Sequence, residues 1–465
     1  MPKGVLAIGL LARLVLAPYT SWNLDVAVWF HTSLAGFHGL QLYDRPGFSY
    51  PPVWGYFLQI LGSLIRLAGF GPNFFGVENP AFSSASSATA DFTNFVTSPA
   101  FNLLFKGVLF GFDLVTALLI YRFVMHVTGD PQRASLGLTA WFLNPFVIYE
   151  SAVHGALDTL VGFAVLSTIV LVVNGRQFWA GGAWAFGILT KLSPVVLAPL
   201  LLIAISVEPG LGSTRHRLGQ IGLFAYGAGI ATVFILAPVA VLGSIQTMYH
   251  NVFARSVEPV TIGGLSLAGI RHLGPLSGLL IWAFDNTTVV IRASFIAQAI
   301  AILAWSGWTA VVVRRDPIFG LLSGSVGALT SVELLSPIAN PQYVLWWLPA
   351  LTVLVFVTGR GYWQLALLTI APLVFSLAIL GPAATLGPLS TYTHVISAQA
   401  VNDDVINWYT APRRLWGATL ADDFFAPASL VTIATLFSLY SLWIRAALRP
   451  AQPPSLVLRG DANAG

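Results

Sequence analysis

The sequence predicts an all-α polytopic membrane protein with about twelve transmembrane helices. Apolar runs of about 20 residues, enough to cross a bilayer core, recur from end to end. Only 9% of the 465 residues are charged, and the mean hydropathy is +0.78. A soluble domain carries about 25% charge. The two-residue alternation of a membrane β-barrel is absent.

Composition also excludes chemistry. With no cysteine there is no disulfide and no thiolate metal site. The pI near 9.4 comes from scattered Lys and Arg, as in basic cytoplasmic loops, so nucleic acid is not an expected partner. No P-loop, dinucleotide fingerprint or zinc spacing occurs, and no G-x-S-x-G elbow. No His has an i, i+4 His partner, so neither a metal nor a cofactor is expected. The first apolar run lacks a cleavage site and reads as a retained span.

Taken in order, span 1 covers about 4–19 and holds Arg13. A helix at about 52–69 starts at Pro51-Pro52, and the remainder of 20–100 reads as loop. Span 2 is about 101–126, span 3 about 135–150 and span 4 about 157–174. Two short runs, about 178–190 and 193–207, meet at Lys191-Leu192-Ser193-Pro194. Span 7 is about 219–242, followed by a polar segment with Arg255 and Arg271 in which 275–284 is too short to cross. Spans 8 to 12 are about 290–313, 317–335, 342–358, 362–381 and 426–444. A second large loop fills 382–425.

Topology turns on 52–69. It is read as a juxtamembrane helix of the first outer loop, lying along the interface, with both termini cytoplasmic, because Lys3, Arg122, Arg133, Arg176, Arg215, Arg217, Arg314, Arg315, Arg360, Arg445, Arg449 and Arg459 then fall on one side. The positive-inside rule makes that side cytoplasmic. Asp25, Tyr50, His154, Asp158, Lys191, Arg255 and Asn340-Pro341-Gln342-Tyr343 then share the opposite face.

Those residues are the informative ones, because the positive-inside rule does not explain them. A carboxylate at the depth of Asp25 costs about 3 kcal/mol in hydrocarbon and needs a polar cavity or a partner. Asp25 is the expected catalytic base, with the Tyr50-Pro51-Pro52 corner folding the loop over it. Asp44, in Tyr43-Asp44-Arg45-Pro46, reads as a solvated turn. Lys106 and Asp113 share one face of span 2. They read either as a structural ion pair or, for Lys106, as a contact to a lipid-linked phosphate. His154-Gly155-Ala156-Leu157-Asp158 lies beside Glu150 where spans 3 and 4 meet. Lys191 sits between two interrupted spans, a setting that commonly lines a cavity. Arg255 lies in Phe253-Ala254-Arg255 and suits phosphate recognition.

The order of these elements resembles the GT-C superfamily of polyprenyl-phosphate-sugar-dependent glycosyltransferases. The matching elements begin with Asp25 after the first span, Gly39-Leu40-Gln41-Leu42-Tyr43 and Tyr50-Pro51-Pro52. They continue through Phe105-Lys106 with Asp113, Leu143-Asn144-Pro145 and His154-Gly155…Asp158. Thr190-Lys191-Leu192-Ser193-Pro194 and Pro341-Gln342-Tyr343…Trp346…Pro349 complete the series. The likeness is to mannosyltransferase-like members and to glucosyltransferases that extend dolichol-linked glycans. The chain departs from them in having Gly155-Ala156-Leu157-Asp158 where many have G-Q-x-D, and in lacking a second acidic residue before Asp25.

The resemblance implies a catalytic module over 1–355, with 356–465 as C-terminal helices and tail. It implies inverting transfer of a hexose from a polyprenyl-phosphate sugar to a lipid-linked glycan or other hydroxyl acceptor, among membrane lipids on the non-cytoplasmic face. Tyr50, Lys106, His154, Asp158, Lys191, Arg255, Gln342 and Tyr343 would bind substrate around Asp25. The competing reading is a transporter or lipid flippase, against which stands the lack of an internal repeat.

Overall fold

A computed structural model describes residues 2–43, 48–82, 95–207, 214–254, 263–264, 287–336, 338–380, 384–410 and 422–448. Asp44, Arg255, Arg271 and the 275–284 piece lie outside the described residues.

The protein is nearly all helical. Helix α1 (Lys3–Leu16) leads through a 3-10 turn into α2 (Asn23–His38), which packs antiparallel to α3 (Pro52–Leu67). The two backbones meet closely: a Cβ on Gly62 would lie 1.9 Å from the Ser33 carbonyl oxygen. The long helix α4 (Pro99–Thr128) is followed by α5 (Pro131–Phe142) and α6 (Pro145–Ile148). A π-helical turn then runs over Tyr149–His154. Helices α7 (Asp158–Val173), α8 (Gln177–Thr190) and α9 (Ala198–Val207) complete the first half, with a 3-10 segment at Ser193–Leu197. The second half holds α10 (Thr214–Val241), α11 (Ile245–Tyr249), α12 (Thr287–Val312) and α13 (Pro317–Leu335). After a 3-10 turn at Pro341–Trp346 come α14 (Leu348–Thr358), α15 (Tyr362–Leu380), α16 (Gly387–Thr393), α17 (Ala398–Thr410) and α18 (Asp422–Leu448).

One local device sets many of these starts. Ser98-Pro99, Asp130-Pro131, Asn144-Pro145 and Asp316-Pro317 each place a polar N-cap before a proline at the first helical position. The proline has no N–H to lose and its φ is preset, while the cap oxygen accepts from the exposed N–H groups. Asn144 Oδ1 accepts from Phe146 and Val147 at 3.0 and 3.3 Å.

Five described helices are long and apolar enough to cross a membrane, within α4, α10, α12, α13 and α18, and four shorter apolar helices accompany them. This is the make-up of a multi-pass membrane protein. Parts of α10 and α12 are largely uncovered by other helices, as lipid-facing segments are. The core is instead gathered around α4, α7, α13 and α14.

Four expectations need correction. The stretch after span 1 is not a loop: Asn23–His38 forms helix α2, so Asp25 sits on a helix that packs on α3. Span 3 is not one helix: it breaks at Asn144-Pro145 and ends in the π turn. The loop between α3 and α4 contains a two-stranded antiparallel sheet, β1 (Gly76–Glu78) with β2 (Phe95–Thr97). The supposed loop 382–425 contains α16 and α17, and α17 packs on the turn at Pro80–Phe82. A two-residue parallel pair joins β3 (Gly263–Gly264) to β4 (Ile338–Ala339).

Candidate active site

The α1–α2 link, the start of α4 and the π turn meet through Lys106, and the start of α7, the α8–α9 link and the α13–α14 link meet through Asp158. Lys106 is the clasp of the first group. Its ammonium is fully buried and donates to the carbonyls of Ala17, Thr20, Ala152 and Val153. Thr20 Oγ1 adds a bond to the Ala152 carbonyl at 3.2 Å. The segment leading to Asp25 is thereby tied to the segment carrying His154.

This corrects two expectations. Seven residues of helix rise about 10 Å, and Lys106 does not pair with Asp113. Asp113 instead takes Arg13, whose Nε donates to Oδ2 at 3.0 Å with both side chains fully buried. The three N–H donors of Lys106 are directed at carbonyls, which leaves none for a phosphate.

The π turn widens the helix by one residue, a device frequent at functional sites. It closes on Gly155, whose φ of 83° lies in the left-handed region. Gly155 and Ala156 both donate to the Glu150 carbonyl at 2.9 Å. A Cβ on Gly155 would lie 2.9 Å from Phe105 Cε2, so glycine is required there for space as well as for conformation.

Two polar clusters follow. In the first, His154 Nδ1 lies 2.6 Å from Glu150 Oε2 and Nε2 lies 3.1 Å from Asp25 Oδ2. Glu150 Oε1 accepts from Ser376 Oγ of α15 at 2.7 Å. The Trp22 ring meets the imidazole edge-on, 4.7 Å between centroids. Glu150 is fully buried and the His154 side chain is 2% exposed, whereas Asp25 is 17% exposed. Asp25 is thus the outward end of the chain. Burial pushes the imidazole down, but the Glu150 and Asp25 carboxylates more than reverse it and bring it up to about 9. Both ring nitrogens face carboxylates, and both can donate only in the imidazolium.

In the second cluster, Lys191 Nζ donates to Asp158 Oδ1 at 2.8 Å. Trp346 Nε1 donates to the same oxygen. The ammonium sits 4.3 Å from the Tyr343 ring centroid, 5.1 Å from that of Trp346 and 5.8 Å from that of Tyr50. Burial pushes Lys191 down, and Asp158, with Tyr343 and Asp25, more than offsets it. The clusters are neighbours through Tyr50, whose ring stands 5.8 Å from Lys191 Nζ and 5.4 Å from the Trp29 ring. Trp29 links them: its Nε1 donates to the Gly155 carbonyl at 3.1 Å and its ring packs 5.4 Å from Tyr50.

Of the predicted site residues, Asp25, Tyr50, His154, Asp158, Lys191 and Tyr343 come together. Gln342 is buried in the same 3-10 turn as Tyr343. Lys106 turns to the backbone behind the site, and Arg255 is outside the described residues. Sequence reasoning missed Ser376, an isolated hydroxyl in an apolar span, and the role of Trp346 as a partner of Asp158. It also missed Glu333, which is buried on α13 and accepts from Trp347 Nε1 at 2.6 Å. No group of three or more His, Asp or Glu that could hold a metal occurs among the described residues.

The sequence profile of glycosyltransferase family 87 matches residues 92–337, more than half of the chain. GPI mannosyltransferase 1 of Dictyostelium discoideum is 24% identical over 206 residues. That match spans 42% of this chain and 39% of the relative, so the chain covers well under half of that protein's length.

Proposed function

Since the chain belongs to glycosyltransferase family 87 and is a mannosyltransferase-like member of the GT-C superfamily, we propose that it transfers a hexose, mannose first among the choices, from a polyprenyl-phosphate sugar. The acceptor is the hydroxyl of a lipid-linked glycan or a similar molecule on the non-cytoplasmic face. Membership in a transferase family leaves the transporter reading without support.

The reading rests on one observation above the others: Asp25 is the outward member of a buried polar chain, beside a caged cation. In the proposed reaction an acceptor hydroxyl oxygen attacks the anomeric carbon from the face opposite the phosphate. Asp25 takes the hydroxyl proton as the new C–O bond forms. The bond from the anomeric carbon to the phosphate oxygen breaks, and its electron pair leaves with the polyprenyl phosphate. A single displacement of this kind inverts the anomeric centre. Negative charge grows on the departing phosphate, and Lys191 is proposed to meet it. Its pairing with Asp158 and its aromatic cage fix the ammonium in advance of substrate. Arg255 is proposed as a second phosphate contact, and Tyr50, Gln342 and Tyr343 as walls of the sugar and acceptor site.

The proposed topology places twelve spans in the bilayer with both termini cytoplasmic and α3 along the outer interface. The arginine-rich ends support it: Arg133 lies near Gly359 and Arg315 Nη1 donates to the Ala447 carbonyl, all at the end away from Asp25.

The test is transfer of radiolabelled mannose from polyprenyl phosphate to lipid-extractable acceptors in membranes holding the full chain. The expected result is transfer by the wild type and a loss of about 10²–10⁴-fold in Asp25→Asn. Normal turnover in Asp25→Asn, or no transfer from any polyprenyl-phosphate hexose, would overturn the reading.

A further inference from the structure

His154 was expected to touch substrate. Its surroundings say otherwise. It is nearly sealed, with Asp25 in front, Glu150 behind and the Trp22 ring across its edge. Glu150 is in turn held by Ser376 from a helix 226 residues further along the chain. We infer that Glu150 and His154 are positioning residues for the Asp25 base. Glu150, fixed by Ser376, orients the imidazole and keeps it doubly protonated, and the outer N–H of that ring aims one Asp25 oxygen so that the other faces the acceptor. The inference rests on the proposed role of Asp25 as base.

The chemistry requires such a support. Asp25 sits in the first turn of α2, where its side chain is free to rotate unless one oxygen is held. A carboxylate that accepts from a charged N–H on one oxygen is fixed in direction, which leaves its other oxygen to accept a proton. The imidazolium is stable in a sealed position only because carboxylates flank both nitrogens. One carboxylate would neutralise it, and the second leaves the trio with a net negative charge to receive the acceptor proton. The groups facing His154 are Asp25 from α2 and Glu150 from its own turn. Lys106 of α4 is bound to the Ala152 and Val153 carbonyls, and Lys191 is bound to Asp158. Both cations are thus engaged with other partners. An imidazole held up to about pH 9 accords with this arrangement.

The experiment reads the ring directly. The full chain is labelled with ¹⁵N-histidine, placed in lipid nanodiscs at pH 7.5 and examined by solid-state NMR, with His154→Gln identifying the resonances. Two protonated ring nitrogens are expected in the wild type. In Glu150→Gln the ring should show one unprotonated nitrogen, and Ser376→Ala should shift the Nδ1 resonance while leaving the ring charged. In the mannose-transfer assay, Glu150→Gln should lower kcat about 10–100-fold with little change in donor KM, and Glu150→Asp should recover part of it. A neutral His154 in the wild type, or a charged ring and normal kcat in Glu150→Gln, would overturn the inference. If Glu150→Gln does not fold, Ser376→Ala carries the test, and an unmoved Nδ1 signal there refutes it. Failure of the underlying reading looks different: Asp25→Asn would keep its turnover whatever the ring's charge.

Discussion

Gly155→Ala tests whether the π turn positions the site. The left-handed φ of 83° costs an alanine about 1–2 kcal/mol. The added Cβ would also stand 2.9 Å from Phe105 Cε2 and 3.1 Å from Lys106 Cε. Neither neighbour can yield: Phe105 is fully buried and the Lys106 ammonium is tied to four carbonyls. Overpacking of that kind adds about 1–3 kcal/mol. Gly175→Ala is the control, because its φ is 69° with nothing within 4 Å of the new carbon. It should show the conformational cost alone. The difference between the two variants is therefore about 1–3 kcal/mol. The assay is reversible unfolding in mixed micelles followed by tryptophan fluorescence, since the chain has 15 tryptophans and no cysteine for a thiol dye. Backbone movement at Gly155 also shifts the carbonyl that holds Trp29 and the imidazole before it, so turnover should fall by about 10²-fold for a displacement near 1 Å. Equal unfolding energies for the two alanine variants, or full turnover in Gly155→Ala, would refute the reasoning.

Other expectations follow from the buried charges. Arg13→Met leaves Asp113 buried without its cation and should destabilise by about 3–5 kcal/mol, while Arg13→Met with Asp113→Leu should recover most of the loss; additive losses in the same unfolding assay would contradict this. An unfolded histidine titrates near 6.5 and His154 near 9, so its contribution is complete below about pH 6.5 and drains away as pH rises towards 9. Melting temperature should fall across that window in the wild type and fall less in His154→Gln; parallel slopes would count against it. Lys191→Met should raise the KM for polyprenyl-phosphate mannose about tenfold or more, and an unchanged KM would remove Lys191 from the phosphate site. In the cysteine-free chain, Ser49→Cys should label from outside intact cells and Arg176→Cys only after permeabilisation; the reverse pattern would invert the topology.

The elements with a strong local signature were legible in the sequence. The paired polar cap and proline at Ser98, Asp130, Asn144 and Asp316 mark helix starts, and the prolines at 145, 194 and 341 mark interrupted spans. The site was legible to the extent that its residues break an apolar pattern, as Asp25, His154, Asp158 and Lys191 do. What stands opposite what was not. Spacing put Lys106 and Asp113 on one face but could not show that Arg13 of another helix lies against Asp113. Ser376 had no signal, since a lone hydroxyl in an apolar helix usually bonds its own backbone, as Thr369 does to Leu365. The three-residue strands were too short to show alternation.

The Arg13–Asp113 pair has a consequence for how the chain is made. The two residues are 100 positions apart. At a synthesis rate of about 5–20 residues per second, Arg13 leaves the ribosome roughly 5–20 s before Asp113. The first helix must enter the bilayer with a guanidinium that has no acidic partner yet. Lys106 faces a similar wait for the carbonyls of Ala152 and Val153. During those seconds the insertion machinery, or lipid headgroups reached by snorkelling, must carry the charge. Substitutions in α4 that remove Asp113 should then leave early insertion of α1 unchanged and act only later, when the helices assemble.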